Sequence, residues 1–164
     1  MDIDTFWKVI EQARKSAEDV YEVAANVEDI LTALTAEEIV SFSQHQCDLL
    51  AEAHRKDLWA VAYIVNGGCS DDGFMDFRGW LMANGRKRWE AALKTPQIVG
   101  KWVEPDEAEC QDILYVADHA YQAKAGKPFP DHLITVRTPS EPVGNDWSEE
   151  SLDDLYPELS KKFS

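Results

Sequence analysis

Apolar residues recur at intervals of three and four along most of the chain, the spacing that places them on one side of an α-helix. Phe6, Ile10, Ala13 and Ala17, with Trp7 beside them, predict an amphipathic first helix from near Asp4. Val20, Val23, Ala24, Val27, Ile30, Leu31 and Leu34 predict a second, which stops at Thr35. There the run TAEE sets a Thr three residues ahead of Glu38, the spacing of a capping box, and opens a third helix with Ile39, Phe42, Leu49, Leu50 and Ala53 inward. After the polar HRKD, the run LWAVAYIV (Leu58 to Val65) is apolar on nearly every side. Such a helix belongs at the centre of a bundle, because every side of it has to be covered.

Asn66-Gly67-Gly68 ends that helix, and Ser70 is placed to cap the next, with Asp71 and Asp72 in its first turn against the positive end of the helix dipole. This fifth helix runs to Asn84 and stops at Gly85, and RKRWEAALK predicts a short sixth, ended by Pro96. AECQDILYVADHAYQAKAG predicts a seventh from Ala108, with Ile113, Val116, Ala117 and Ala120 on one face and Gly126 beyond its last turn. From Lys127 on, Pro128, Pro130, Pro139 and Pro142 forbid continuous helix, so the chain continues as an extended arm, and Leu133 to Val136 stay coil for want of a strand to pair with. Ser148 is placed to cap a last helix carrying Leu152, Leu155 and Tyr156, and Pro157, Leu159 and Phe163 follow as apolar anchors. The expected fold is all-α: a single-domain multi-helix bundle over residues 1–126, with a Pro-rich C-terminal arm and a short terminal helix over residues 127–164 docked on the same domain.

Composition sharpens this picture. The chain has 164 residues, 45% of them hydrophobic, enough for one packed core. It holds 31 Asp and Glu against 16 Lys and Arg, a formal charge of −15. Such a surface repels phosphate backbones and anionic lipid, so nucleic-acid and membrane-surface roles are not expected and a basic protein partner is. The charge is uneven: residues 1–60 carry 13 acids and 5 bases, residues 61–100 carry 4 and 5, and residues 101–164 carry 14 and 6. The near-neutral middle also holds most of the aromatic residues from Trp59 to Trp89, which marks it as core and as the place to look for a site. The acidic start lacks an apolar signal-peptide run, and the longest apolar stretch, Trp59 to Val65, falls far short of the roughly 20 residues of a membrane span. Cys47, Cys69 and Cys110 form neither a disulfide framework nor a zinc pattern, which suits reduced thiols in a cytoplasmic protein.

One constellation carries chemistry. In CSDDGFMDFRGWLMANG, Phe74, Phe77 and Leu81 share a helical stripe, and Arg78 falls inside it. An arginine there needs partners: either it ties helices together through internal carboxylates and carbonyls, or it holds a ligand carboxylate or phosphate in a pocket. For the second case the lining residues are Arg78, Asp71, Asp72, Trp59, Tyr63 and Trp80, between the LWAVAYIV and SDDGFMDFRGWL helices. Asp72 and Asp76 form an i, i+4 pair of like charges on another flank. Arg86, Lys87 and Arg88 open the sixth helix, where cations oppose the dipole, and form a weaker candidate anion site.

Other chemistry lacks a pattern. Asp71, Asp72 and Asp76 do not follow the alternation of a calcium loop and have no closing Glu, and His45, His54, His119 and His132 make no HExxH. No metal, cofactor or catalytic residue is therefore assigned. A Cys69 nucleophile with a remote histidine has no local motif behind it.

FWKVIEQA near the start, LWAVAYIVNGGCSDDGFMDFRGWLMANG in the middle and LYPELSKKF at the end resemble the bacterial domain-of-unknown-function family 4240. The resemblance implies a bacterial helical domain and brings no catalytic residues with it. Two functional expectations follow from all of this. The first is a non-enzymatic protein-interaction or regulatory module, an immunity-type partner of a toxin being one version. The alternative is a small-molecule anion-binding protein or enzyme built on the Arg78 pocket.

Overall fold

The computed structural model describes residues 1–164 as helices and irregular segments without a β-strand. Six helices come first: α1 (Ile3–Arg14), α2 (Val20–Thr32), α3 (Ala36–Glu52), α4 (Lys56–Val65), α5 (Asp71–Ala83) and α6 (Arg86–Lys94). Two 3-10 turns, Pro96–Lys101 and Asp112–Tyr115, lead to α7 (Val116–Ala125). A largely irregular arm then ends in α8 (Leu152–Leu155) and α9 (Pro157–Lys162). The chain is an all-α, single-domain multi-helix bundle.

Four helices begin on a side chain that takes a free backbone N–H. Asp2 accepts from Thr5 N at 2.7 Å, so α1 starts at Ile3, slightly ahead of the expected Asp4. Asp19 accepts from Glu22 N and Ser70 from Gly73 N, and Thr35 and Glu38 close the reciprocal box that their spacing predicts. α5 and α7 end on Gly85 and Gly126, both with positive φ.

A single buried cluster joins α1 to α7 and reaches Leu159 in the terminal helix. Phe6 stacks on Phe42 with ring centroids 4.5 Å apart, and Trp7 packs on Trp89 at 5.9 Å. α2 packs against both α1 and α7, and α3 also meets α7. The most enclosed helix is α5, where Phe77 to Ala83 are seven consecutive buried residues. This corrects the expectation that α4 is central. α4 leaves Trp59, Tyr63 and Ile64 half-buried, and its apolar surplus meets the arm, where Trp147 packs edge-on against Tyr63.

A second correction concerns α7. Residues 108–115 continue the helical periodicity yet are not α-helical, because distant groups claim their backbone. Asn66 bonds both Ala108 N and Ala108 O through its side chain, and Cys110 N donates to Asp76 O at 3.0 Å. The last helix is also broken, at Tyr156, which precedes Pro157 and sits at φ −134° and ψ 65°, outside the helical region.

The arm is tied down mainly by polar contacts. The Gln44 amide takes both Thr135 N and Thr135 O, Arg137 pairs with Asp48, and Lys56 pairs with Asp146. Val143 bridges to Arg55 as an isolated parallel β-contact, and Trp147 Nε1 donates to Lys56 O at 2.7 Å. Leu159 seats on Gly100, where a Cβ would approach Leu159 to 2.3 Å.

The enclosure of α5 has a testable consequence at Gly79. A Cβ there would lie 2.5 Å from the Cys110 carbonyl oxygen, a backbone atom of a residue whose N–H is held by the Asp76 carbonyl. Gly79→Ala is expected to cost about 1–3 kcal/mol by forcing the 108–111 segment off α5, read as a lower urea midpoint.

Candidate functional site

Arg78 is 2% exposed, at the middle of α5. Its Nη1 donates to the Leu50 carbonyl at the end of α3 at 2.7 Å, its Nε reaches the Phe74 carbonyl at 3.4 Å, and its Cζ lies 4.5 Å from the centre of the Phe74 ring. No carboxylate pairs with it. The expected internal acid is therefore replaced by two carbonyls and an aromatic face. The reason is helical geometry: Asp71 sits in the exposed first turn, while the buried stripe that holds Arg78 presents it to α3. Burial without a counter-charge pulls the guanidinium down to about 10, an unusual value for a group that is normally charged at any pH.

Phe74 is the platform of this cluster. Trp59 lies nearly parallel to its ring at 4.9 Å, and His54 stacks at 6.0 Å. Trp59 Nε1 donates to Cys69 O at 2.9 Å, which fastens α4 to the loop ahead of α5. Trp59 and Phe74 therefore touch where the sequence points to a pocket. Trp80 is buried and stacks on Phe77 at 5.9 Å, Tyr63 faces the arm, and Asp71 and Asp72 are exposed. His54 Nδ1 is buried and has no hydrogen-bond partner. Burial first, and then the neighbouring Arg78 cation, hold that imidazole below its usual range, so it is neutral at pH 7. Burial pushes the Cys69 thiol up to about 11. A thiol so placed is protonated at neutral pH and does not offer the thiolate that nucleophilic chemistry requires.

The basic cluster that opens α6 is neutralised from within. Glu11 Oε1 accepts from Arg86 N at 3.1 Å, so the helix N-terminus already holds a carboxylate. Gly85 permits this approach: its φ is +92°, and a Cβ would stand 2.3 Å from that same oxygen. Arg86 pairs with Asp4 and Glu90, and Arg88 bonds Asn84 while lying over the Trp102 ring. Lys87 alone of the three is exposed.

Two cavities stand out, and none of the Arg78 set lines either. One, of about 540 Å³, lies between the Pro96–Lys101 turn and the terminal helices, beside Ile98, Gly100, Tyr156 and Leu159. The other, of about 280 Å³, lies between α2 and the start of α7, beside Tyr21, Glu28, Asp112, Tyr115 and His119. Sequence reasoning did not single out this second set. Its signal is present as two spacings, Tyr115 with His119 at i, i+4 and Tyr21 with Glu28 at i, i+7, each on one helical face.

The like-charge pair on α5 behaves as its spacing predicts. Burial raises the Asp76 carboxyl, and Glu109 and Asp72 raise it further. No group of three or more His, Cys, Asp or Glu side chains is arranged to hold a metal ion.

The fold and these sites define an all-α acidic domain with a closed aromatic-arginine centre. The chain belongs to the DUF4240 family, described as a protein of unknown function, whose family model matches residues 1–123. No curated protein and no solved structure matches the chain.

Two stability measurements test this geometry. Arg78→Ala is expected to lose about 2–4 kcal/mol, by stripping the Leu50 carbonyl of its donor and leaving a void, whereas Arg78→Met fills the volume and loses about 1–2. Equal losses for the two in chemical denaturation would contradict the volume argument. Asp76 has a raised folded-state pKa, so its ionisation costs the folded chain more than the unfolded one, and stability falls as the pH rises through and above the ordinary value of 3.8. Asp76→Asn is expected to raise Tm at pH 7 by about 2 °C, with the gain vanishing below that ordinary value.

Proposed function

We propose that the protein is a non-enzymatic interaction or regulatory module whose acidic surface engages a more basic protein. The observation that carries this reading is the distribution of charge over packed elements. Between residues 16 and 54 the chain has nine acids and no Lys or Arg, and between 102 and 123 it has six and none. These two stretches supply α2 and α7, which lie against one another. The acidic N-terminal half of α5 adjoins the same field, since Glu109 acts on both Asp76 and Tyr21. Of the 16 Lys and Arg, 5 are held in ion pairs, among them Arg14 with Glu11 and Arg55 with Asp57.

An acidic face of this kind speeds encounter with a positive surface and rejects negative ones. The closed packing around Arg78 supports the same reading, since its donors are turned to Leu50 and Phe74. A toxin-neutralising, immunity-type role is one instance of this class, and a cytoplasmic setting fits three unpaired cysteines. No helix is long and apolar enough to cross a membrane.

One observation favours the alternative of a small-anion site. Arg78 has no carboxylate partner and the neighbouring His54 Nδ1 has no hydrogen-bond partner, so an anion entering there would meet a cation without a counter-charge beside an unbonded ring nitrogen.

A thermal-shift series separates the two. The interaction reading expects poly-lysine to raise Tm, by an amount that shrinks as salt rises from about 50 to about 300 mM, with divalent metals, nucleotides, phosphorylated metabolites and carboxylic acids leaving Tm unchanged. A shift given by one of the anions and abolished in Arg78→Lys would replace it with the anion-site reading.

A further inference from the structure

We propose that the groove between α2 and the start of α7 receives an arginine side chain from a basic segment of the partner protein. This rests on the interaction reading above and gives that acidic surface a specific point of contact.

The groove holds about 280 Å³, which is below the size of ordinary cofactor and metabolite sites and suits a single long side chain. Its walls combine the two features that recognise a guanidinium. The first is aromatic: Tyr21 and Tyr115 are 50% and 46% exposed, a high exposure for large rings, and Tyr115 stacks with His119 at 6.4 Å. The second is anionic: Asp112 forms no ion pair, and Glu28 is engaged only through Oε2, which lies 3.2 Å from His119 Nδ1. A planar cation can stack on a tyrosine face while its edge donates to a carboxylate, a combination that an ammonium group meets less well.

The surrounding field has the same sign. Burial comes first among the causes that raise the Tyr21 phenol, and the acids Glu109, Asp112 and Asp19 add to it. No Lys or Arg lines the groove, so no Lys or Arg of this chain competes there with a partner's cation. Exposed aromatic side chains ringed by charge are also the usual anchors of protein interfaces.

The test uses the full chain and a fluorescein-labelled nona-arginine peptide, with nona-lysine beside it, in anisotropy titrations at fixed low salt. The groove assignment expects nona-arginine to bind more tightly than nona-lysine, and Asp112→Asn and Tyr115→Ala each to weaken nona-arginine about ten-fold. Tyr115→Phe, which keeps the ring, is expected to bind as the native chain does. Asp154→Asn removes one charge from exposed α8, away from the groove, and is expected to change affinity by less than about two-fold. Circular dichroism confirms that each variant is folded; the chosen side chains are exposed. If Asp112→Asn and Asp154→Asn weaken binding equally and Tyr115→Ala does not, the groove assignment fails while the charge-based reading stands. If neither peptide binds the native chain, both fail.

Discussion

Two turns of α5, from Phe77 to Ala83, lie inside the molecule with no side open to water, and one of those seven residues is an arginine. Every other element has to answer that fact. α3 brings the Leu50 carbonyl to the guanidinium, and Phe74 gives it a ring face. Gly79 lets the 108–111 backbone come within touching distance, so that Cys110 N can bond the Asp76 carbonyl. Removing a cation from water is expensive unless polar groups replace the lost hydration, and here uncharged carbonyls and π-density do so. Those groups replace the hydration only in part, and burial lowers the Arg78 pKa.

Charge on the outside follows from the same division. Burying a carboxylate costs its hydration, so the acids stay outside the core and crowd onto α2, the first turn of α5 and the approach to α7. The crowding has a cost, visible in Asp76, whose carboxyl is raised by Glu109 and Asp72 after burial has acted. A surface that tolerates such self-repulsion is poised to gain from a positive partner, because binding relieves a strain that folding leaves in place. In the proposed arginine contact, the aromatic rings at the α2–α7 groove would supply what charge alone lacks, a shape that distinguishes one cationic group from another.

Much of the fold was legible from local signals. The Thr35–Glu38 box, the Ser70 cap and the stops at Gly85 and Gly126 each act within a few residues, and each is where its chemistry places it. The errors arise wherever a distant group intervenes. Residues 108–115 carry a helical pattern, but Asn66, some forty positions away, takes both polar groups of Ala108. Arg78 was recognisable as a buried cation in need of partners, yet its main partner is a carbonyl, and backbone carbonyls leave no mark in a sequence. The same holds for Glu11, whose carboxylate occupies the start of α6 only because two helices far apart in the chain meet there.

The arm shows how the burden of folding is shared along the chain. Beyond residue 123, where the family match ends, only Leu152 and Leu159 are buried. The other attachments are half-buried rings, such as Trp147 on Tyr63 and Phe129 on Tyr121, and rim hydrogen bonds and ion pairs, such as Gln44 with Thr135 and Arg137 with Asp48, which are partly exposed and individually weak. The packed centre therefore lies almost wholly within the family-matching part, and the arm covers α4 and enters the core cluster only through Leu159. Because rim contacts of this kind contribute little apolar burial, substitutions among them cost less stability than substitutions in the α5-centred core, whose side chains are wholly enclosed.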